Sequence, residues 1–132
     1  MEFIKSKILK HPNLKHAFCL RSGGVSPKPY KSLNCSYYVG DQNINVKKNH
    51  ELILKSLNFE KSFSVKQVHS NKVICAEDHL SKNTEIEADA IICKSFDLAI
   101  SVTTADCAPL LVFDRKELIV GAAHAGWKGA VK

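Results

Sequence analysis

Two apolar runs, residues 108–113 and 118–123, stand on either side of the polar tetrapeptide Asp114-Arg115-Lys116-Glu117, and this pattern leaves the chain few choices. Strand-length apolar segments joined by so short a polar stretch predict a β-hairpin. A two-residue turn at Arg115-Lys116 sets Asp114 against Glu117, and a four-residue loop sets Phe113 against Leu118. Both choices give one register. In it, Cys107 lies directly across from His124, with Cβ atoms roughly 4.5 to 5.5 Å apart. A bulge at Pro109, which cannot donate to the ladder, would displace that pairing.

A thiolate and an imidazole so placed suit one shared zinc, whose bonds to sulfur and nitrogen are about 2.3 and 2.0 Å. The same proximity suits a Cys/His nucleophilic pair. A third ligand is available in His69, which ends the alternating run Phe63, Val65, Gln67, His69 ahead of a Ser70-Asn71 turn. Three protein ligands with an open fourth position is the catalytic zinc pattern, in which the metal lowers the pKa of bound water to about 7. Plainer readings stand beside these. A lone cysteine at a strand end is commonly a buried small hydrophobe, Asp106 can cap a turn, Asp89 can close a loop, and Trp127 can simply pack. His11, His16, His50 and His79 lie in polar or irregular stretches and receive no role.

Elsewhere, residues 14–20 read as a strand entering the sharp loop Arg21-Ser22-Gly23-Gly24-Val25-Ser26-Pro27. Residues 30–41 read as an irregular surface excursion. Asn45 is placed to cap a helix running to Leu57, with Val46, Ile53 and Leu57 on one face and Leu52 and Leu54 widening it. Strand-like runs follow at 63–69, 73–76, 90–93 and 98–103, before the hairpin. Gly126-Trp127-Lys128-Gly129 then reads as a turn opening a helix. No repeat or linker divides the chain, so its 132 residues are expected to form a single domain. The expected class is α+β, or mixed α/β: a strand-rich sheet with flanking helices.

With 45% apolar and 24% charged residues, the composition is that of a globular protein. The net charge of +6 comes mostly from 17 scattered lysines, with no dense basic stripe. That argues against a dedicated nucleic-acid module and favours anionic ligands. Five cysteines without a CxxC pair read as reduced thiols. The N-terminus lacks a signal-peptide apolar run and no 18-residue apolar stretch exists, so no membrane association and a cytoplasmic location are expected. Arg21 stands beside Gly23-Gly24, where bare backbone can approach a ligand, and a guanidinium binds phosphate bidentately. An ordinary turn is the alternative there. Lys128, at the start of a helix, could help to hold an anion.

The segments Arg21-Ser22-Gly23-Gly24-Val25-Ser26, Ser32-Leu33-Asn34, Val39-Gly40-Asp41, Lys66-Gln67-Val68-His69, Thr104-Ala105-Asp106-Cys107-Ala108-Pro109 and Ala123-His124-Ala125-Gly126-Trp127-Lys128-Gly129 together resemble the laccase-like multicopper polyphenol oxidase family. The Cys107 and His124 segments are the most specific. The resemblance implies a catalytic zinc on His69, Cys107 and His124. Copper would be a competitor in vitro, since it binds such sites more tightly. It further implies phosphorolysis of adenosine, inosine, guanosine and methylthioadenosine, together with adenosine deamination. Cys107, His124 and Arg21 would be catalytic, and Arg21, Asn34 and Lys128 would contact nucleoside or phosphate.

The chain departs from the family pattern in three places. It ends soon after the His124 motif, where family members continue; Lys128 replaces a usual arginine; and His50 stands where arginine is frequent. On this reading the chain is the N-terminal part of the family domain, incomplete relative to the family fold. A complementing C-terminal fragment or a homo-oligomer is then a possible partner. The alternatives are a metal-free Cys/His hydrolase or deamidase built on Cys107 and His124, and an inactive zinc-binding fragment. Six scattered histidines are too few for a multicopper oxidase.

Overall fold

The computed structural model describes residues 1–81 and 84–131. Strands and helices from both ends of the chain make an α+β fold, with two compact units, Met1–Glu60 and Lys61–Lys132. In the first unit, β1 (Phe3–Ile4) pairs antiparallel with β2 (Phe18–Cys19). The strand expected over 14–20 is thus only two residues long. Its earlier residues are bonded elsewhere: Leu14 N–H closes a turn on His11 O, and His16 Nε2 accepts Ser6 N–H.

Helix α1 spans Asn43–Leu57, with Gln42 as its N-cap. Asn45 is therefore inside the first turn and does not cap it; its amide donates back to Asp41 Oδ1. The helix stops at Asn58, whose N–H donates to Lys55 O and whose left-handed backbone (φ 57°) turns the following N–H, that of Phe59, back onto Leu54 O. Its fully buried side chains are Val46 and Asn49. The Asn49 amide is saturated: Oδ1 accepts Val25 N–H, and Nδ2 donates to Ser26 Oγ, Ser32 O and Asn34 O. An irregular loop leaves backbone groups unpaired, and this one amide answers several of them.

The second unit holds β3 (Lys61–Ser64), β4 (Val73–Cys75), a 3₁₀ turn (Ala76–His79), β5 (Ala90–Cys93), β6 (Leu98–Ser101), β7 (Ala108–Asp114), β8 (Ile119–Ala125) and the one-turn helix α2 (Trp127–Ala130). β3 and β6 form a parallel pair; the other four strands make a sheet in the order β4-β5-β8-β7. β4 runs parallel to β5, and the remaining pairs are antiparallel. Ile74, Ala76, Ala88, Ile91, Cys93 and Leu98 form the core, with Phe63, Val65, Ile86, Ile100 and Val120 packed against it. Along β5, Ile91 and Cys93 point into this core while Ala90 and Ile92 are half-buried on the other face.

The carboxylate of Glu77 closes one end of this core. It accepts from the Cys75 and Cys93 thiols, from the Lys94 and Ser95 N–H groups and from Ser95 Oγ. The Cys75 thiol and these N–H donors hold Glu77 well below the usual carboxylate range, against the opposing effect of burial. Burial and the Glu77 charge push Cys93 up to about 11, which keeps it a neutral thiol.

The hairpin forms, but its register differs from the expected one. Pro109 faces His124, Phe113 faces Val120 and Asp114 faces Ile119, so each β7 residue meets a partner two positions further along β8. The cause lies in the turn. Asp114 Oδ1 accepts Lys116 and Glu117 N–H, and Leu118 adopts a left-handed backbone (φ 55°), which takes it out of the strand. An offset of two preserves faces where an offset of one would reverse them. Cys107, one residue before β7, therefore lies diagonal to His124 instead of opposite. Pro109 takes its place in the ladder without a bulge, on an edge strand where its missing N–H is tolerated.

Candidate metal centre

His124 reaches the centre from β8, one residue before its end, and is 6% exposed. Its Nδ1 is 2.8 Å from Asp89 Oδ1, which leaves Nε2 as the ring atom open to a ligand. Its backbone N–H donates to Asp89 O.

His69 arrives differently from the sequence expectation. The strand ends at Ser64, and His69 occupies a loop with left-handed backbone (φ 59°), a conformation costing a non-glycine residue roughly 1–2 kcal/mol. The compensation comes from Asp89, whose carboxylate accepts the consecutive N–H groups of Val68, His69 and Ser70, along with Ser70 Oγ. Such a concave run of N–H donors is an anion-binding nest.

Cys107 comes from the segment between β6 and β7. That segment is tied to the His69 loop by Gln67, whose side-chain amide pairs with Thr103 as a strand backbone would: Nε2 donates to Thr103 O and Oε1 accepts Thr103 N–H, both at 2.7 Å. Cys107 Sγ lies 3.9 Å from His69 Nε2. The two imidazoles meet edge to face, with centroids 4.8 Å apart. Ligand atoms of His69, Cys107 and His124 all lie within 4.8 Å of one another.

Gly126 completes the arrangement. A Cβ there would collide with His69 Cδ2 and crowd His124 Cε1, and one at Gly129 would strike Ser70 O. Within the Ala123–Gly129 motif, Gly126 thus lies against the imidazoles and Gly129 against the backbone of the His69–Ser70 loop.

Asp89 carries the strongest electrostatic perturbation here. Burial alone would raise its pKa, but hydrogen bonds from His124, Ser70 and Val68 outweigh burial and lower it to about 2. In sequence Asp89 reads as no more than a loop-closing residue. A usable signal was present: a carboxylate between Ala88 and Ala90, entering an apolar strand, is in a position where a charge must find partners.

The other predicted contact residues have their own local partners. Arg21, in the first unit, donates through Nε and Nη2 to Lys31 O. Asn34, in the same unit, donates to Ser36 O and Asp41 Oδ2 and accepts Ser36 N–H. Lys128 lies in α2 with Nζ 5.5 Å from the Trp127 ring centroid, and Trp127 is 70% exposed, so it does not pack as expected.

Residues 15–132 match the family described as multi-copper polyphenol oxidoreductase laccase. The chain belongs to that family. Curated relatives include a purine nucleoside phosphorylase of Deinococcus radiodurans, 37% identical over 94% of this chain and 49% of that protein. Another, of Bacteroides thetaiotaomicron, is 31% identical over 92% and 48%. This laccase-family chain thus spans about half the length of the curated relatives it matches. Among solved structures, a Neisseria meningitidis protein of the family DUF152 superposes with a TM-score of 0.87 at 35% identity, covering 96% of this chain and 51% of that one. YlmD from Geobacillus stearothermophilus gives 0.71 at 29% identity, over 83% and 44%. No helix among the described residues is long and apolar enough to cross a membrane.

Proposed function

We propose that this chain is the N-terminal part of a zinc-dependent purine nucleoside phosphorylase domain, with His69, Cys107 and His124 as the metal ligands. The observation that carries the reading is the convergence of those three side chains; relatives named purine nucleoside phosphorylase support the substrate class. The donor set fits the ion. One soft thiolate and two imidazoles suit zinc, with copper a competitor, and the bond lengths require ligand atoms about 3.5 Å apart, so the set closes from 3.9 Å between Cys107 and His69 and from up to 4.8 Å across the three. Zinc bound there would supply a Lewis acid and a water activated near neutral pH.

In this proposal the protein's own groups bind and orient. Lys128 holds phosphate for attack on C1' of the sugar, and adenosine, inosine, guanosine and methylthioadenosine are the substrates. Adenosine deamination is a second activity of the same site. The working location is the cytoplasm, where a thiolate ligand stays reduced.

The test is zinc content of the purified chain, measured with phosphate-dependent release of base from adenosine and inosine. About one zinc per chain with turnover is the expected result. Zinc without turnover would limit the chain to an intact metal site in need of the rest of the domain.

A second reading is favoured by the Asp89–His124 pair, which has the base-and-orienter geometry of cysteine hydrolases, with Cys107 as nucleophile. Folded, metal-free protein that hydrolyses amides would establish it in place of the zinc enzyme.

A further inference from the structure

We propose that Asp89 is a positioning residue that sets both histidine ligands into binding geometry before any ion arrives. The inference rests on the zinc reading and deepens it, since it concerns how the ligands are held. One carboxylate reaches both histidines: Oδ1 accepts His124 Nδ1 at 2.8 Å and His69 N–H at 2.9 Å. The other oxygen, Oδ2, accepts Val68 N–H at 3.2 Å, Ser70 N–H at 2.7 Å and Ser70 Oγ at 2.8 Å. The same residue's carbonyl accepts His124 N–H at 2.7 Å, so the strand bearing one ligand and the loop bearing the other are fastened to a single side chain and its backbone.

An ionised carboxylate can only accept. The proton of neutral His124 therefore belongs on Nδ1, and the Nε2 lone pair is free to face His69 and Cys107. The ring has little freedom to leave that orientation, because it is 6% exposed, sits edge-on to His69 and is backed by Gly126. Outer carboxylates of this kind typically contribute 10- to 100-fold to metal affinity.

An asparagine at position 89 keeps the shape and changes the chemistry. Its single oxygen cannot serve both the His124 ring and the Val68–Ser70 donors. With the oxygen kept on the loop, the amide N–H₂ faces His124 Nδ1, and the imidazole meets it by moving its proton to Nε2, the atom a metal needs. Gln67 also ties the His69 loop to the Cys107 segment, but its side-chain hydrogen bonds run to Thr103 and so do not set a histidine tautomer.

The experiment combines ring ¹H–¹⁵N correlation spectra of the metal-free full chain with zinc titration against a chelator, for wild type, Asp89→Asn and Ser70→Ala. Wild-type His124 is expected as the Nδ1–H tautomer. Asp89→Asn is expected to shift it to Nε2–H and to weaken zinc binding by about 10- to 100-fold. Ser70→Ala, which removes only a hydroxyl bond to Oδ2, is expected to leave the tautomer unchanged and affinity within about twofold. A folded Asp89→Asn chain with wild-type tautomer and affinity overturns the positioning role alone. If Asp89→Asn does not fold, the wild-type spectrum decides, and an Nε2–H His124 overturns the proposal. Absence of zinc uptake by wild type overturns the zinc reading itself, and the positioning role with it.

Discussion

Cys107 and Cys93 look alike in sequence, each a lone cysteine beside an apolar strand, and only their surroundings separate them. Cys93 is fully buried in the core and donates to Glu77, whereas Cys107 is half-buried and 3.9 Å from His69 Nε2. Cys107→Ala is therefore expected to reduce zinc content from about one per chain to background, while Cys93→Ala retains it, as elemental analysis would record. Equal zinc in both variants would remove Cys107 from the site. At this scale the sequence was informative about identity and less so about conformation. The residue types named a thiolate and two imidazoles. The left-handed backbone of His69 and the five bonds to the Asp89 side chain arise from segments about 20 and 35 residues apart, which no local pattern records.

The elements were legible where a period was strong and illegible where a side chain overrode it. β5 covers the expected 90–93, and β7 and β8 lie within two residues of their expected runs. The hairpin register differs because Asp114 organises a four-residue turn with Leu118 in the left-handed region. Leu118→Gly is accordingly expected to be more stable than Leu118→Ala by about 1 kcal/mol in urea unfolding: both lose the side chain, and only glycine relieves the backbone. Equal stabilities would rule out that backbone strain. On α1, the apolar stripe predicted the buried face, yet a fully buried asparagine sits on it. Asn49→Leu is expected to destabilise the chain by about 2–4 kcal/mol, read from the urea midpoint, because Val25 N–H and the Ser26–Asn34 acceptors lose their partner. A change under about 0.5 kcal/mol would mean that water replaces the amide.

For the molecule as a whole, Asp89 and Glu77 tie stability to pH. Both carboxylates have folded pKa values below their unfolded ones, Asp89 falling from 3.8 to about 2. The unfolded chain therefore binds protons first as pH drops, and stability present above about pH 4 is lost progressively toward pH 2. Urea midpoints measured from pH 5 to 2 should fall across that window; a flat profile would show that neither carboxylate is linked to folding. Taken alone, the sequence determined the α+β class, the hairpin, the helix and the residue types capable of holding a metal, because these depend on local periodicity and on donor chemistry. Tertiary structure decided which partner each β7 residue meets and how His69 enters the site. It also decided that Asp89 joins the two histidine-bearing segments and that Gly126 must lack a side chain. Those outcomes depend on which distant segments compete for the same hydrogen bonds and the same space, and that competition exists only once the chain has folded.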